Sequence, residues 1–141
     1  MEDQSFGSKV KRTGRKVLKI TIISLLVIVV GLFSFYYWGV YERGVMAGKV
    51  LRISEKGMVF KTYEGKITLE SFGALKGTNP IAETYDFSVE PDEKDLINNL
   101  ESVSLSGERV NLHFVKRYAR FPWRGDTRYF VTRVERLETK K

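Results

Sequence analysis

The 141-residue chain has no cysteine, a single histidine and three prolines. Without cysteine there are no disulfides, thiolate metal sites, thiol nucleophiles or thioether-lipidated N-terminus. One histidine, His113, excludes a histidine-rich metal site within one chain. Three prolines leave no Pro-rich stalk between segments. The length leaves room for one ordinary domain and excludes architectures that need about 200 residues or more, such as an eight-fold β/α barrel. No GxGxxG or GxxxxGK[ST] phosphate loop occurs. No Ser/His/Asp constellation is visible either, so no catalytic residue, metal or small-molecule cofactor is expected. Internal repeats and low-complexity tracts are also missing.

What is present is uneven. A mean hydropathy of −0.23 averages over two unlike pieces. Residues 20–38, ITIISLLVIVVGLFSFYYW, carry no charge. As a helix they span about 28 Å, close to the roughly 30 Å hydrocarbon core of a bilayer. Phe35, Tyr36, Tyr37 and Trp38 end the run where an aromatic belt meets the headgroups. A buried core helix is the alternative, but uncharged runs of this length read as membrane spans.

The flanks set the expected orientation. Lys9, Lys11, Arg12, Arg15, Lys16 and Lys19 precede the span, whereas Arg43, Lys49 and Arg52 follow it. The positive-inside bias puts the N-terminus in the cytoplasm and the rest outside, as for a single-pass protein. A cleaved signal peptide is the competing reading, with Val45-Met46-Ala47 as its passable cleavage pattern. The long apolar run and its bulky aromatic end favour an uncleaved anchor. The expected organisation is a basic cytoplasmic N-terminus at 1–19, polar and disordered over 1–8, and a span at 20–38. A tether at 39–46, an extracytoplasmic domain at 47–137 and a tail at 138–141 follow.

Beyond the span the hydrophobic period is mostly two. Strands are expected over 47–54, 58–63, 66–70 and 83–89, with a hairpin turn at 55–57 and a loop at 71–82. Glu64-Gly65 reads as a tight turn or a bulge. The period then changes: Leu96, Ile97, Leu100 and Val103 share one helical face. Pro91, Asp92 and Glu93 suit its first turn and Gly107 its end, so a helix is expected over 91–104. Asp92, Glu93 and Asp95 are explained by the helix dipole rather than by metal binding. Strands follow over 109–118, with Val110, Leu112 and Phe114 inward and His113 outward, and over 127–137. With 58–70 counted as one bent strand, the helix falls between the third and fourth of five strands, the order of an OB-like β-barrel. An open antiparallel sheet with the helix on one face is the alternative. The expected fold class is therefore one transmembrane helix plus a small mainly-β, OB-like barrel domain with one amphipathic helix.

Charge is distributed as unevenly as hydropathy. The chain's net +7 divides into +4 over 1–38, −4 over 39–108 and +7 over 109–141. Between Phe114 and Arg136 basic residues interleave with aromatics. The loop RFPWRGD, 120–126, stands out: Pro122 fixes φ, and Gly125 and Asp126 favour a turn. Lys116, Arg117, Arg120, Phe121, Trp123, Arg124 and Asp126 are the candidate partner-binding residues. The plain alternative is that the arginines pair with the acidic first half, or Arg124 locally with Asp126, and the aromatics form core. Arg-Gly-Asp at 124–126 reads as a turn before it reads as an integrin-type motif.

The segments GVMAGKVLRISEKGMVFKTYEGKITL (44–69), YDFSV (85–89) and FPWRGDTRYFV (121–131) resemble a family of small single-pass bacterial membrane proteins. Automated naming often calls its members 6-phosphogluconate dehydrogenase. The resemblance implies a family with no established activity, and it supplies no catalytic residue. The enzyme name needs a Rossmann glycine fingerprint and a large helical domain, and this chain has neither. The expected function is a non-enzymatic, membrane-anchored accessory or binding module of the cell envelope. Its expected partners are the lipid bilayer and an envelope or membrane protein. The alternative is an OB-like ligand-binding domain for an anionic polymer, a glycan or lipid headgroup outside the cell. Nucleic acid would require a cytoplasmic domain, which the topology argues against.

Overall fold

A computed structural model describes residues 3–69 and 83–137 of the chain. The loop expected at 71–82 and the tail at 138–141 lie outside the described residues. Two compact units result, Met1–Trp38 and Gly39–Lys141.

The first unit is α1, Asp3–Trp38. Over Val10–Trp38 it is long and apolar enough to cross a membrane or to act as a signal anchor. Its apolar side chains stay exposed along the helix, Ile20 at 67% and Leu26 at 61%, which a core helix would not allow. Residues 3–8, expected to be disordered, belong to this helix. Once an apolar helix has nucleated, each added turn costs little, so polar residues extend it. The Thr21 hydroxyl returns to the Val17 carbonyl at 2.9 Å, so it leaves no unpaired group in the apolar stretch.

The second unit contains β1 (Val40–Lys56), β2 (Thr62–Leu69), β3 (Glu83–Val89), α2 (Lys94–Ser106), β4 (Arg109–Arg117) and β5 (Tyr129–Arg136). The five strands close into a ring in the order β1-β2-β3-β5-β4, with β4 paired back to β1. The alternative of an open antiparallel sheet is thereby excluded. β1 serves both neighbours. Its first part pairs with β4 from Val40↔Arg117 to Lys49↔Arg109, and its second part pairs with β2 from Gly48↔Leu69 to Lys56↔Thr62. Register shifts after Val40 and after Val50 let the strand bend between them.

Several expected boundaries move. The tether expected at 39–46 is the beginning of β1, because its ladder partner is β4, about 70 residues away, and no local signal announces a distant strand. The strand expected from Met58 begins at Thr62. Gly57, at φ 110°, turns the chain out of β1 and leaves 58–60 as an exposed tip. Glu64-Gly65 is neither turn nor bulge but lies inside β2, opposite Ser88 and Phe87.

The core confirms the two periods. Val110, Leu112 and Phe114 point inward from β4, and Leu96, Ile97, Leu100 and Val103 form the buried face of α2. They meet Met46, Val50, Ile67, Phe87, Val89 and Val131 in one cluster. Each such side chain contributes roughly 1.5–3 kcal/mol on burial. α2 starts at Lys94 rather than at Pro91, because the chain first closes a turn in which the Glu93 N–H donates to the Glu90 carbonyl; of the expected first-turn acids only Asp95 lies in the helix. It ends on Gly107 in the left-handed conformation, as its sequence predicts. His113 is out of phase with the core, and its Nε2 lies 3.1 Å from Glu135 Oε2 on β5.

Candidate functional site

The RFPWRGD loop joins β4 to β5, and its backbone folds on itself. The N–H groups of Arg124 and Gly125 both donate to the Phe121 carbonyl, at 3.0 and 3.1 Å. This is the turn expected from Pro122 and Gly125. The turn is then fastened to β2 and β3 by a polar cluster. Glu64, 6% exposed on β2, accepts the Ser88 hydroxyl on Oε2 at 2.6 Å and the Asp126 N–H on Oε1 at 2.9 Å. Ser88, fully buried on β3, accepts the Thr127 N–H at 3.0 Å. The Thr127 hydroxyl donates to the Tyr129 carbonyl at 3.0 Å. Gly125 is what permits this approach. A Cβ there would lie 2.7 Å from the Cβ and Oγ of Ser88 and 2.9 Å from the Phe130 ring.

Arg124 turns inward. It is 8% exposed, its Nε donates to Glu90 Oε1 at 2.5 Å, and its guanidinium sits over the Phe130 ring at 5.5 Å. Arg117 Nη2 approaches the same carboxylate oxygen at 3.9 Å. A carboxylate shared by two guanidiniums offsets the cost of taking them out of water. Arg124 is therefore a structural residue, not a contact residue. Of the two plain alternatives, a local pair with Asp126 gives way to pairing with the acidic first half through Glu90, and Asp126 pairs with Lys56, at 3.8 Å. With Arg124 and Gly125 buried, the Arg-Gly-Asp tripeptide is no surface motif.

The other candidates divide in the same way. Lys116 is committed to its own strand neighbourhood. Its Nζ stands 3.8 Å from Glu42 and over the rings of Tyr41 and Tyr129 at 5.4 and 5.1 Å. Arg120 is exposed and donates from Nη1 to the Asp126 carbonyl at 3.1 Å. Phe121 is half-buried against Trp123, with ring centroids 5.1 Å apart. Trp123 itself is 42% exposed and does not plug the ring. Of the seven candidates, the structure pairs the rings of Phe121 and Trp123 and places Arg120 and Asp126 along one cleft.

It adds a group that the sequence reading placed in a strand. Met58, Val59 and Phe60 form the tip between β1 and β2, 97%, 81% and 52% exposed. The Phe60 ring lies 6.3 Å from Trp123. The tip and the loop thus form one apolar–aromatic patch from two connections. The available signal was the unbroken apolar triplet after Gly57, which does not alternate as a half-buried strand should.

Below Glu135 the electrostatics are local. The His113 imidazole against its carboxylate, with help from Arg133 and Asn111, outweighs a desolvation cost and holds the Glu135 carboxyl below its usual value. The Tyr85 hydroxyl donates to Glu83 at 3.1 Å. That bond and the Glu83 charge raise the phenol above its usual value.

A family model described as a domain of unknown function (DUF8785) matches residues 39–139. It covers most of the chain and begins where the second compact unit begins, so the chain belongs to that family. A search of the curated proteins found no match.

Proposed function

We propose that this member of the DUF8785 family is a membrane-anchored, non-enzymatic binding module of the bacterial cell envelope. α1 is the anchor, with its N-terminus in the cytoplasm and the β domain outside the inner membrane. The domain takes a protein partner on the patch of Phe60, Trp123, Phe121 and Met58. One observation carries this reading. An exposed aromatic patch sits on a loop whose backbone is immobilised by the buried Glu64–Ser88–Asp126 cluster. Exposed Trp and Phe on a preorganised support are what interface anchors require, because little ordering cost remains on binding.

The ring order supports an OB-like description. β3 and β5 meet in parallel, α2 falls between β3 and β4, and the two connections that form the patch are those that contact ligands in OB folds. The anionic-polymer reading is weakened, because Lys116, Arg117 and Arg124 are engaged by Glu42 and Glu90 rather than displayed. The one histidine is likewise engaged, with Glu135.

The cysteine-free chain makes topology direct to test. A cysteine at Leu105, 89% exposed on α2, should react with a membrane-impermeant maleimide once the outer membrane is permeabilised. A cysteine at Ser8 should react only after the inner membrane is opened. The partner is tested by quantitative co-purification from solubilised membranes. Proteins recovered with the wild type should be lost with the Phe60→Ser/Trp123→Ser pair and kept with Leu105→Ser. Equal recovery with all three contradicts the proposal.

A further inference from the structure

The ring is joined unequally. β2 and β3 pair without interruption from Tyr63↔Val89 to Leu69↔Glu83. β3 and β5 meet only at Ser88↔Phe130. Among the described residues, Glu83–Phe87 therefore carries a ladder on one edge and none on the other. Such an edge presents backbone N–H and C=O groups at every second residue. Beyond the single pair, β3 and the chain leading into β5 diverge. The cleft between them, about 380 Å³, is lined by Thr84 and Tyr85 on one side and by Arg120, Arg128 and Tyr129 on the other.

Asp86 and Asp126 also line this cleft, so its two arginines face two carboxylates, each of which is held by a lysine outside the cleft. The Arg128 carbonyl accepts the Arg117 N–H at 2.8 Å, but its exposed guanidinium makes no ion pair or hydrogen bond among the described residues. Arg120 donates to a neutral carbonyl. The two lining carboxylates lie nearest to those lysines, Asp86 to Lys66 at 3.4 Å and Asp126 to Lys56 at 3.8 Å. Two guanidiniums thus face an unpaired strand edge, with tyrosine rings on either side.

We propose that the open edge of β3 receives an extended acidic peptide segment of a partner protein as an added strand. The backbone edge selects an extended chain. Arg120 and Arg128 select carboxylates on its side chains, which a guanidinium can grip with two parallel hydrogen bonds. An anionic glycan would satisfy the arginines but leave the strand edge unpaired, so the peptide accounts for both features. This site does not depend on the aromatic patch or on its partner.

The test uses the full chain in nanodiscs and a fluorescent, short, alternating Val–Glu peptide read by anisotropy. The peptide should bind, and a Val–Lys twin should not. Arg128→Glu and Arg120→Glu should each weaken binding by about tenfold or more, the size of one lost charge-assisted contact. Arg43→Glu on β1, with the same charge change, should leave it within about twofold, and circular dichroism should report all three variants folded. Two further twins are N-methylated, one at every valine and one at every glutamate. A strand pairs through alternate residues, so one of them should lose binding and the other should keep it. The proposal is overturned if the Val–Lys peptide binds as well, if Arg128→Glu matches the wild type, or if both methylated twins bind like the parent. It is also overturned if a heparin oligosaccharide binds as tightly as the Val–Glu peptide.

Discussion

Replacing Glu64 by alanine should unfasten the candidate site without touching its surface. Glu64 is 6% exposed and holds two donors, the Ser88 hydroxyl at 2.6 Å and the Asp126 N–H at 2.9 Å. A hydrogen bond to a charged acceptor contributes about 1.5–3 kcal/mol, and an abandoned buried donor costs about 1–3 kcal/mol. Alanine also removes the need to bury a carboxylate, which offsets part of the loss. The net expectation is about 3 kcal/mol, which for a domain of this size lowers Tm by roughly 12–20 °C. Glu64→Gln keeps one acceptor for the Asp126 N–H and offers its amide to Ser88 Oγ, so it should cost only about 1 kcal/mol. The assay is thermal unfolding of the full chain in detergent by near-ultraviolet circular dichroism. Trp123 emission in a Trp38→Phe background reports the loop. The reasoning is refuted if Glu64→Ala lies within about 0.5 kcal/mol of wild type, where ordinary surface substitutions fall, or if glutamine is as damaging as alanine.

Gly125→Ala should destabilise by about 2–3 kcal/mol, because its Cβ would stand 2.7 Å from Ser88 and 2.9 Å from the Phe130 ring. Urea unfolding measures the cost, and a red shift of Trp123 emission should show the loop lifting. Phe60→Ser and Trp123→Ser should leave urea midpoints nearly unchanged, since both rings are about half exposed; a large loss would place them in the core instead. Glu135 should show in the acid limb. Its carboxyl is held low in the folded state, so its contribution is present above the ordinary glutamate value of 4.5 and is lost as pH falls below it. The stability difference between wild type and Glu135→Gln should shrink across that fall; a difference independent of pH contradicts the pairing with His113.

The elements were legible where pattern is local. The alternation of Val110, Leu112 and Phe114 and the helical face of Leu96, Ile97, Leu100 and Val103 are properties of consecutive residues, and both appear as the core. The uncharged run at 20–38 is likewise self-contained. What escaped depends on residues far apart in the chain. Val40–Met46 is a strand only because β4 lies beside it. Arg124 looks like a surface cation until Glu90, 34 residues earlier, is placed against it. Glu64 shows nothing in its own neighbourhood to mark it as the clasp of a loop 62 residues away. The half of the site that was missed, Met58–Phe60, was hidden by a boundary. The sequence places the hairpin turn at 55–57, so the three apolar residues after Gly57 read as the returning strand, whereas the connection runs on to Thr62 and leaves them as a bare tip. Residue type showed which segment mattered, but the sign of each role, displayed or buried, came only with the tertiary pairing.

We place the contact between this anchored domain and its partner at the aromatic patch. This placement is tested most directly by photo-crosslinking in intact cells that produce the full chain. A photoreactive phenylalanine replaces Phe60, Trp123 or Leu105 in turn, the last being exposed but outside the patch. The same discrete adduct from positions 60 and 123, with none from 105, is the predicted result, and the Glu64→Ala background should diminish it. Adducts absent at both patch positions, or the same adducts from position 105, would contradict the account.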